Sequence, residues 1–240
     1  VRNLSKQSPI ININSSEIGI FNGVDAAINA IFHAYGDLDD AMLTTSPTFG
    51  YYTPCAEMRG MKIISIPYEG IEFQYPFKKI CECIAQHSPK ILLICNPNNP
   101  TGTRLNPERI IEITKLSSQT LVVVDELYEA FTRDSVLPIV DFQKTPNLLI
   151  LRSLSKTAGL AGLRIGFTIG NSQVINIINR VTGPYDVNSF AVSAAFAALK
   201  DQSYIDSYVN KVLEARNWLK TKLEEHKVKH HIGGANYFLL

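Results

Sequence analysis

The chain has 240 residues, 45% hydrophobic and 19% charged, with a formal net charge of +1. This is the composition of an ordinary soluble globular protein, and its near-neutral balance offers no basic footprint for nucleic acid. No apolar run nears the roughly 20 residues that cross a bilayer, and the opening Val-Arg-Asn-Leu-Ser-Lys-Gln lacks the layout of a secretory signal.

The first apolar run, Ile18 to Phe21, reads as a strand closed by Asn22-Gly23, and Ala27, Ile28, Ile31, Phe32 and Tyr35 then recur at helical spacing. Gly23, Val24 and Asp25 thus stand at a helix N-terminus, where free backbone N–H groups favour a phosphate. Asp25 reads equally well as a plain helix cap. Ala41 to Thr45 is the next strand, followed by Ser46-Pro-Thr-Phe-Gly50. Phe49, Tyr51 and Tyr52 put three aromatics beside its end, fit either to stack on a flat ring or to fill the core. A helix should stop near Gly60; Lys62 to Pro67 reads as a strand and Tyr75 to Gln86 as an amphipathic helix.

Lys90 to Cys95 is a strongly apolar strand that runs into Asn96-Pro-Asn-Asn99-Pro-Thr-Gly102, whose prolines forbid a helix and present amide side chains at the strand end. Asn106-Pro107 opens a helix through Lys115. Thr120 to Val124 is a second apolar strand, and Asp125-Glu-Leu-Tyr128 stands at its end, on the same rim as Asn99. Asn147 to Leu151 is a third. Open α/β sheets place their chemistry past the carboxyl ends of such strands, and there stands Lys156, flanked by Ser153 and Ser155 and followed by Arg164. One lysine, two hydroxyls and an arginine in a glycine-punctuated turn suit a pyridoxal phosphate (PLP) site, the lysine for the aldehyde and the rest for the phosphate. A surface loop with ordinary basic residues is the competing reading.

Ile165 to Ile169 returns as a strand; Ser172 to Val181 and Ser189 to Leu199 read as helices, and Tyr204 to His226 as a long amphipathic one. His226, His230 and His231 lack a carboxylate or cysteine spaced to complete a metal site, so they are expected in solvent and no metal is expected. Cys55, Cys81, Cys83 and Cys95 are too scattered for a disulfide framework, which points to a reducing, cytoplasmic setting. Alternating strands and helices predict an α/β architecture with a largely parallel sheet.

Three stretches in fixed order, Asn99-Pro-Thr-Gly, Asp125-x-x-Tyr128 and Ser153-Leu-Ser-Lys156 with Arg164, resemble the fold-type I PLP-dependent aminotransferases. Asn22-Gly-Val-Asp-Ala, Pro47-Thr-Phe-Gly-Tyr-Tyr and Gly183-Pro-Tyr-Asp-Val-Asn narrow the resemblance to the histidinol-phosphate branch. It implies the large domain of a PLP-dependent transferase, a mostly parallel central sheet with helices on both faces. Lys156 would hold the cofactor and shuttle a proton, Asp125 would pair with the ring nitrogen, and Tyr128 and Asn99 would reach the ring oxygen. Phe49 would stack on the ring, while Gly23, Val24, Asp25, Ser153, Ser155 and Arg164 would surround the phosphate. The implied substrates are L-histidinol phosphate, or another amino acid or amine, and 2-oxoglutarate in a homodimer. A threonine-phosphate decarboxylase and a non-enzymatic PLP-fold sensor are the alternatives.

The resemblance also implies a division of the chain: a lead-in over residues 1–17, the PLP-binding large domain over 18–200, and a long helix with the start of a truncated small domain over 201–240. The small domain is expected to be largely absent, with Gly233 to Leu240 resembling its first strand. Ala26 and Phe49 depart from the family's usual acidic residue and larger aromatic.

Overall fold

The computed structural model describes residues 12–240. In chain order the strands and helices are β1 (Ile18–Phe21), α1 (Gly23–Tyr35), β2 (Ala41–Ser46), α2 (Tyr52–Met58), β3 (Lys62–Pro67), α3 (Phe77–His87) and β4 (Ile91–Cys95). There follow α4 (Pro107–Thr114), β5 (Leu121–Asp125), β6 (Leu148–Ser153), β7 (Gly166–Gly170), α5 (Ser172–Asn179), α6 (Ser189–Lys200), α7 (Gln202–Glu225), β8 (His231–Ile232) and β9 (Phe238–Leu239). Asparagine caps start several helices. The side chains of Asn106, Asn171 and Asn188 accept from Glu108, Gln173 and Ala191 N–H groups, each satisfying a donor the helix itself leaves open.

Seven strands form one sheet in the order β1-β7-β6-β5-β4-β2-β3. Pairings from β3 across to β6 are parallel, and only β7 runs against its neighbours β6 and β1. β4 and β5 are buried on both faces, as their unbroken apolar sequences require. Leu93, Val123 and Leu149 point to the side covered by α1, α2 and α5, whereas Leu92, Val122 and Leu148 point to the side covered by α3 and α4. Each such side chain, fully buried, contributes about 1.5–3 kcal/mol, which makes the two layers one cooperative body.

The strand ends differ from the sequence reading in two informative places. β5 takes in Asp125, paired with Cys95 and Leu151, and β6 runs on to Ser153, paired with Gly166. Ladder pairing overrides the apolar boundary, so both polar residues sit on strand backbone rather than on loops. The histidines divide. His226 is exposed as expected, but His230 and His231 are only partly exposed, and His231 Nε2 lies 3.0 Å from the Thr101 carbonyl oxygen. The cause is the small β8–β9 ladder, which folds the chain back onto the Asn98–Gly102 loop. There Gly234 N–H donates to the Gly102 carbonyl at 2.7 Å. Gly102 has φ +67°, and a methyl group on it would lie 2.6 Å from the Gly233 Cα, so both glycines are needed for backbone to meet backbone.

Candidate active site

Strand alternation sorts the polar residues at the rim. Cys95, Asp125 and Ser153 carry the parity of Leu93, Val123 and Leu151, so they stand on the side of α1 and α2. Asp125 is 3% exposed. Its Oδ2 accepts the Tyr52 hydroxyl at 2.7 Å and its Oδ1 the Leu127 N–H at 3.2 Å. Burial nonetheless raises its carboxyl to about 6, against the lowering by those two donors and by Lys156. Cys95 lies beside it, its thiol pushed up by burial first and by the Asp125 charge second.

A cavity of about 160 Å³ opens above these residues. Asp125 and Cys95 line it from the strands, and Phe49, Asn99 and Tyr128 from the loops. Lys156 reaches in from the turn after β6, with its Nζ 5.6 Å from the centre of the Tyr128 ring. Burial raises the Tyr128 phenol to about 12, so it stays a neutral donor at physiological pH. Phe49 meets Tyr52 edge-on at 5.5 Å, which fixes its ring at the wall.

The opposite end of the cavity has anion-binding character. Gly23, with φ +81°, turns the chain so that α1 begins against the Lys156 turn. A side chain at Gly23 would meet the Arg164 guanidinium at 2.7 Å. Asp25 does not cap its helix: its Oδ2 accepts from Arg164 Nη2 at 2.7 Å and so aims the guanidinium at the helix N-terminus. This corrects the cap reading, because the charged partner outcompetes a backbone N–H. Ser153 donates to Ser155 Oγ at 2.7 Å, and Ser153 Oγ also accepts the Ser155 N–H at 3.0 Å. Val24, Ser153, Ser155 and Arg164 line this end together.

The comparisons with known proteins bear on this arrangement directly. A family model described as aminotransferase class I and II matches residues 2–240. The chain belongs to that family. It is 31% identical over 229 residues to the histidinol-phosphate aminotransferase of Caldanaerobacter subterraneus subsp. tengcongensis, covering 95% of this chain and 64% of that protein. It is 35% identical over 215 residues to that of Clostridium novyi, covering 90% and 59%. The chain therefore spans about three fifths of the length of these relatives. The solved structure of the Sinorhizobium meliloti histidinol-phosphate aminotransferase, in complex with pyridoxal-5'-phosphate, superposes with a TM-score of 0.86 at 23% identity. It covers 93% of this chain and 61% of that one, and establishes likeness of fold.

Two features of this chain escape a reading by motif. Tyr52 looks like one aromatic among three, and nothing local in the sequence distinguishes it from core. Its helical position opposite Asp125 is a tertiary fact. On the other side of the sheet, the residues of opposite parity form an ion cluster. Arg152 Nη2 meets Glu126 Oε2 at 2.8 Å and Ser135 Oγ at 2.6 Å, while its Nη1 pairs with Glu129. The Glu126 and Glu129 side chains are 0% and 1% exposed. Asp125–Glu126 and Arg152–Ser153 are thus neighbours in sequence that serve opposite faces. Among the described residues no group of side chains is placed to hold a metal ion, and no helix is long and apolar enough to cross a membrane.

Proposed function

We propose that the protein is a PLP-dependent aminotransferase that moves an amino group between L-histidinol phosphate and 2-oxoglutarate. The observation that carries this reading is one cavity lined together by a buried carboxylate, Asp125, by Lys156, and by Val24, Ser153, Ser155 and Arg164. The donor set fits the cofactor. Among the described residues no cation is in hydrogen-bond contact with the buried Asp125, which calls for a protonated nitrogen. Tyr128 and Asn99 supply donors for a ring oxygen. Val24 and Asp25 N–H groups, the Ser153 and Ser155 hydroxyls and Arg164 supply donors for a phosphate. Family membership and the two relatives at 31% and 35% identity support the same reading and its substrate.

Bound there, PLP would supply an electron sink conjugated to the substrate Cα. Lys156 would bond the aldehyde and, once displaced by substrate, carry a proton to and from Cα as general base and acid. Asp125 would hold the proton at the ring nitrogen, since a buried anion favours the charged form of its partner. Phe49 would cover one ring face and exclude water there. Arg164, aimed by Asp25, would fix the phosphate and with it the reach of Lys156 to Cα.

The same reading extends to assembly and place. We assign residues 18–200 to the PLP-binding large domain and 201–240 to a long helix and the start of a small domain; α7 and Ala235 pack on Tyr128 and Phe131 in a cluster distinct from the two that cover the sheet, which supports the division. A homodimer is supported by the apolar face of α6, where Phe190 and Phe196 are exposed. A cytoplasmic setting is supported by four free cysteines. The deciding experiment is borohydride treatment of the PLP-loaded protein followed by peptide mass mapping. The adduct is expected on Lys156, and an adduct on another lysine, or none at saturating PLP, overturns the assignment.

A further inference from the structure

Asp125 has a partner whose chemistry the motif does not explain. Tyr52 opens α2, is wholly buried, and points its hydroxyl at the carboxylate oxygen. Among the described residues, the other groups facing Asp125 are weaker or of the wrong kind. Cys95 on β4 is a buried thiol beside it, and Tyr128 and Tyr237 are phenols that it perturbs at longer range. Asp25 from α1 opposes its ionisation, and Lys156 favours it only through space. Among the described residues, the Tyr52 hydroxyl and the Leu127 N–H are the donors in contact with the carboxylate.

That placement matters because two bases would share one proton at the floor of the site. A buried carboxylate stripped of donors becomes as basic as a pyridine nitrogen, and the proton then moves to the carboxyl group. A hydroxyl donating to the carboxylate stabilises its anion and leaves the proton on the ring. Phenylalanine at this position would fill nearly the same volume and lack only that donor.

We propose that Tyr52 is a positioning residue of the reaction: its hydroxyl holds Asp125 as an anionic acceptor and so keeps the shared proton on the cofactor nitrogen. The inference rests on the PLP reading for the identity of the second base, and on geometry alone for the Tyr52–Asp125 pair. Tyr52 is not among the residues that line the cavity. It acts through Asp125, which itself lines the cavity.

The test begins without cofactor. The carboxyl carbon of Asp125, assigned by its loss in Asp125→Asn, is titrated by carbon-13 NMR in the parent protein and in Tyr52→Phe. The midpoint should rise by about one unit in the variant, the scale of one lost charge-assisted hydrogen bond. An unchanged midpoint overturns the proposal. Where Tyr52→Phe does not fold, the parent decides: the Tyr52 hydroxyl proton should shift over the pH range in which Asp125 titrates, and indifference to that titration overturns the pairing. With PLP labelled at the ring nitrogen, the nitrogen-15 signal should move toward that of a neutral ring in Tyr52→Phe. In the Asp125→Asn background the tyrosine substitution should have no further effect. A tyrosine effect that persists in that background overturns action through Asp125. Failure of either protein to bind PLP counts against the cofactor reading, while the cofactor-free titration still decides the Tyr52–Asp125 pair.

Discussion

At the scale of single residues, Asp125 carries a cost when the cofactor is absent. Its carboxyl titrates at about 6 in the fold because burial penalises the anion, against about 3.9 in an unfolded chain. A raised folded value means that the protonated form is the one the fold favours. The associated stability is complete below about pH 4, declines as pH rises through about 6, and is gone above it. The two-unit difference corresponds to roughly 2–3 kcal/mol. Asp125→Asn keeps an acceptor for Tyr52 and removes the charge. It should therefore stabilise the cofactor-free protein at pH 7.5 by up to about 2–3 kcal/mol and much less near pH 4.5, as urea midpoints at the two pH values would measure. With PLP bound, the same variant should release the substrate Cα proton more slowly, because nothing then holds the ring nitrogen charged. A gain in stability paired with slowed proton exchange at Cα is the expected signature, and parent rates would remove the electron-sink role.

At the scale of elements, the ion cluster beneath the sheet ties the ends of β5 and β6 together. Arg152 on β6 bridges Glu126 and Glu129 beyond β5, so the strand that presents Ser153 is fastened to the one that presents Asp125. Breaking a buried pair from one side leaves charge without balance, at a cost of about 3–5 kcal/mol. Arg152→Ala should lose that much in a denaturant unfolding experiment. Arg152→Ala together with neutral Gln at Glu126 and Glu129 should recover part of it, since the stranded charges are then gone. The sequence made the elements themselves plain, because β4 and β5 are unbroken apolar runs and α4 opens on Asn106-Pro107. It could not reveal this cluster or Tyr52. Both depend on which side of the sheet a strand's last residues face, and that parity is settled by ladder pairing with strands far away in sequence. His231 departs from expectation for the same reason: its environment is set by the Asn98–Gly102 loop, 130 residues earlier.

At the scale of the whole molecule, the seven-strand sheet brings motifs spread from Gly23 to Arg164 to one rim, and family motifs in fixed order made that convergence legible in the sequence. The order of the strands was not legible, since nothing local in β1 says that its partner is β7. That pairing has a consequence during synthesis. Ile18 must wait for Ile169 before its backbone finds a partner, and at roughly 5–20 residues per second the wait is about 8 to 30 seconds. Throughout it, the segment that carries Gly23 leaves the ribosome as an unpaired strand, exposed to chaperones and to the strands of other nascent chains. Under the proposed function, cofactor capture should correspondingly be a late event. Ribosome-bound chains stopped before Gly170 should retain no PLP adduct after borohydride treatment, and chains long enough to free β7 from the tunnel should acquire one. A cell short of PLP would then meet this protein as a nascent chain that already carries Asp125 and Lys156 and still lacks the β1–β7 edge beside them.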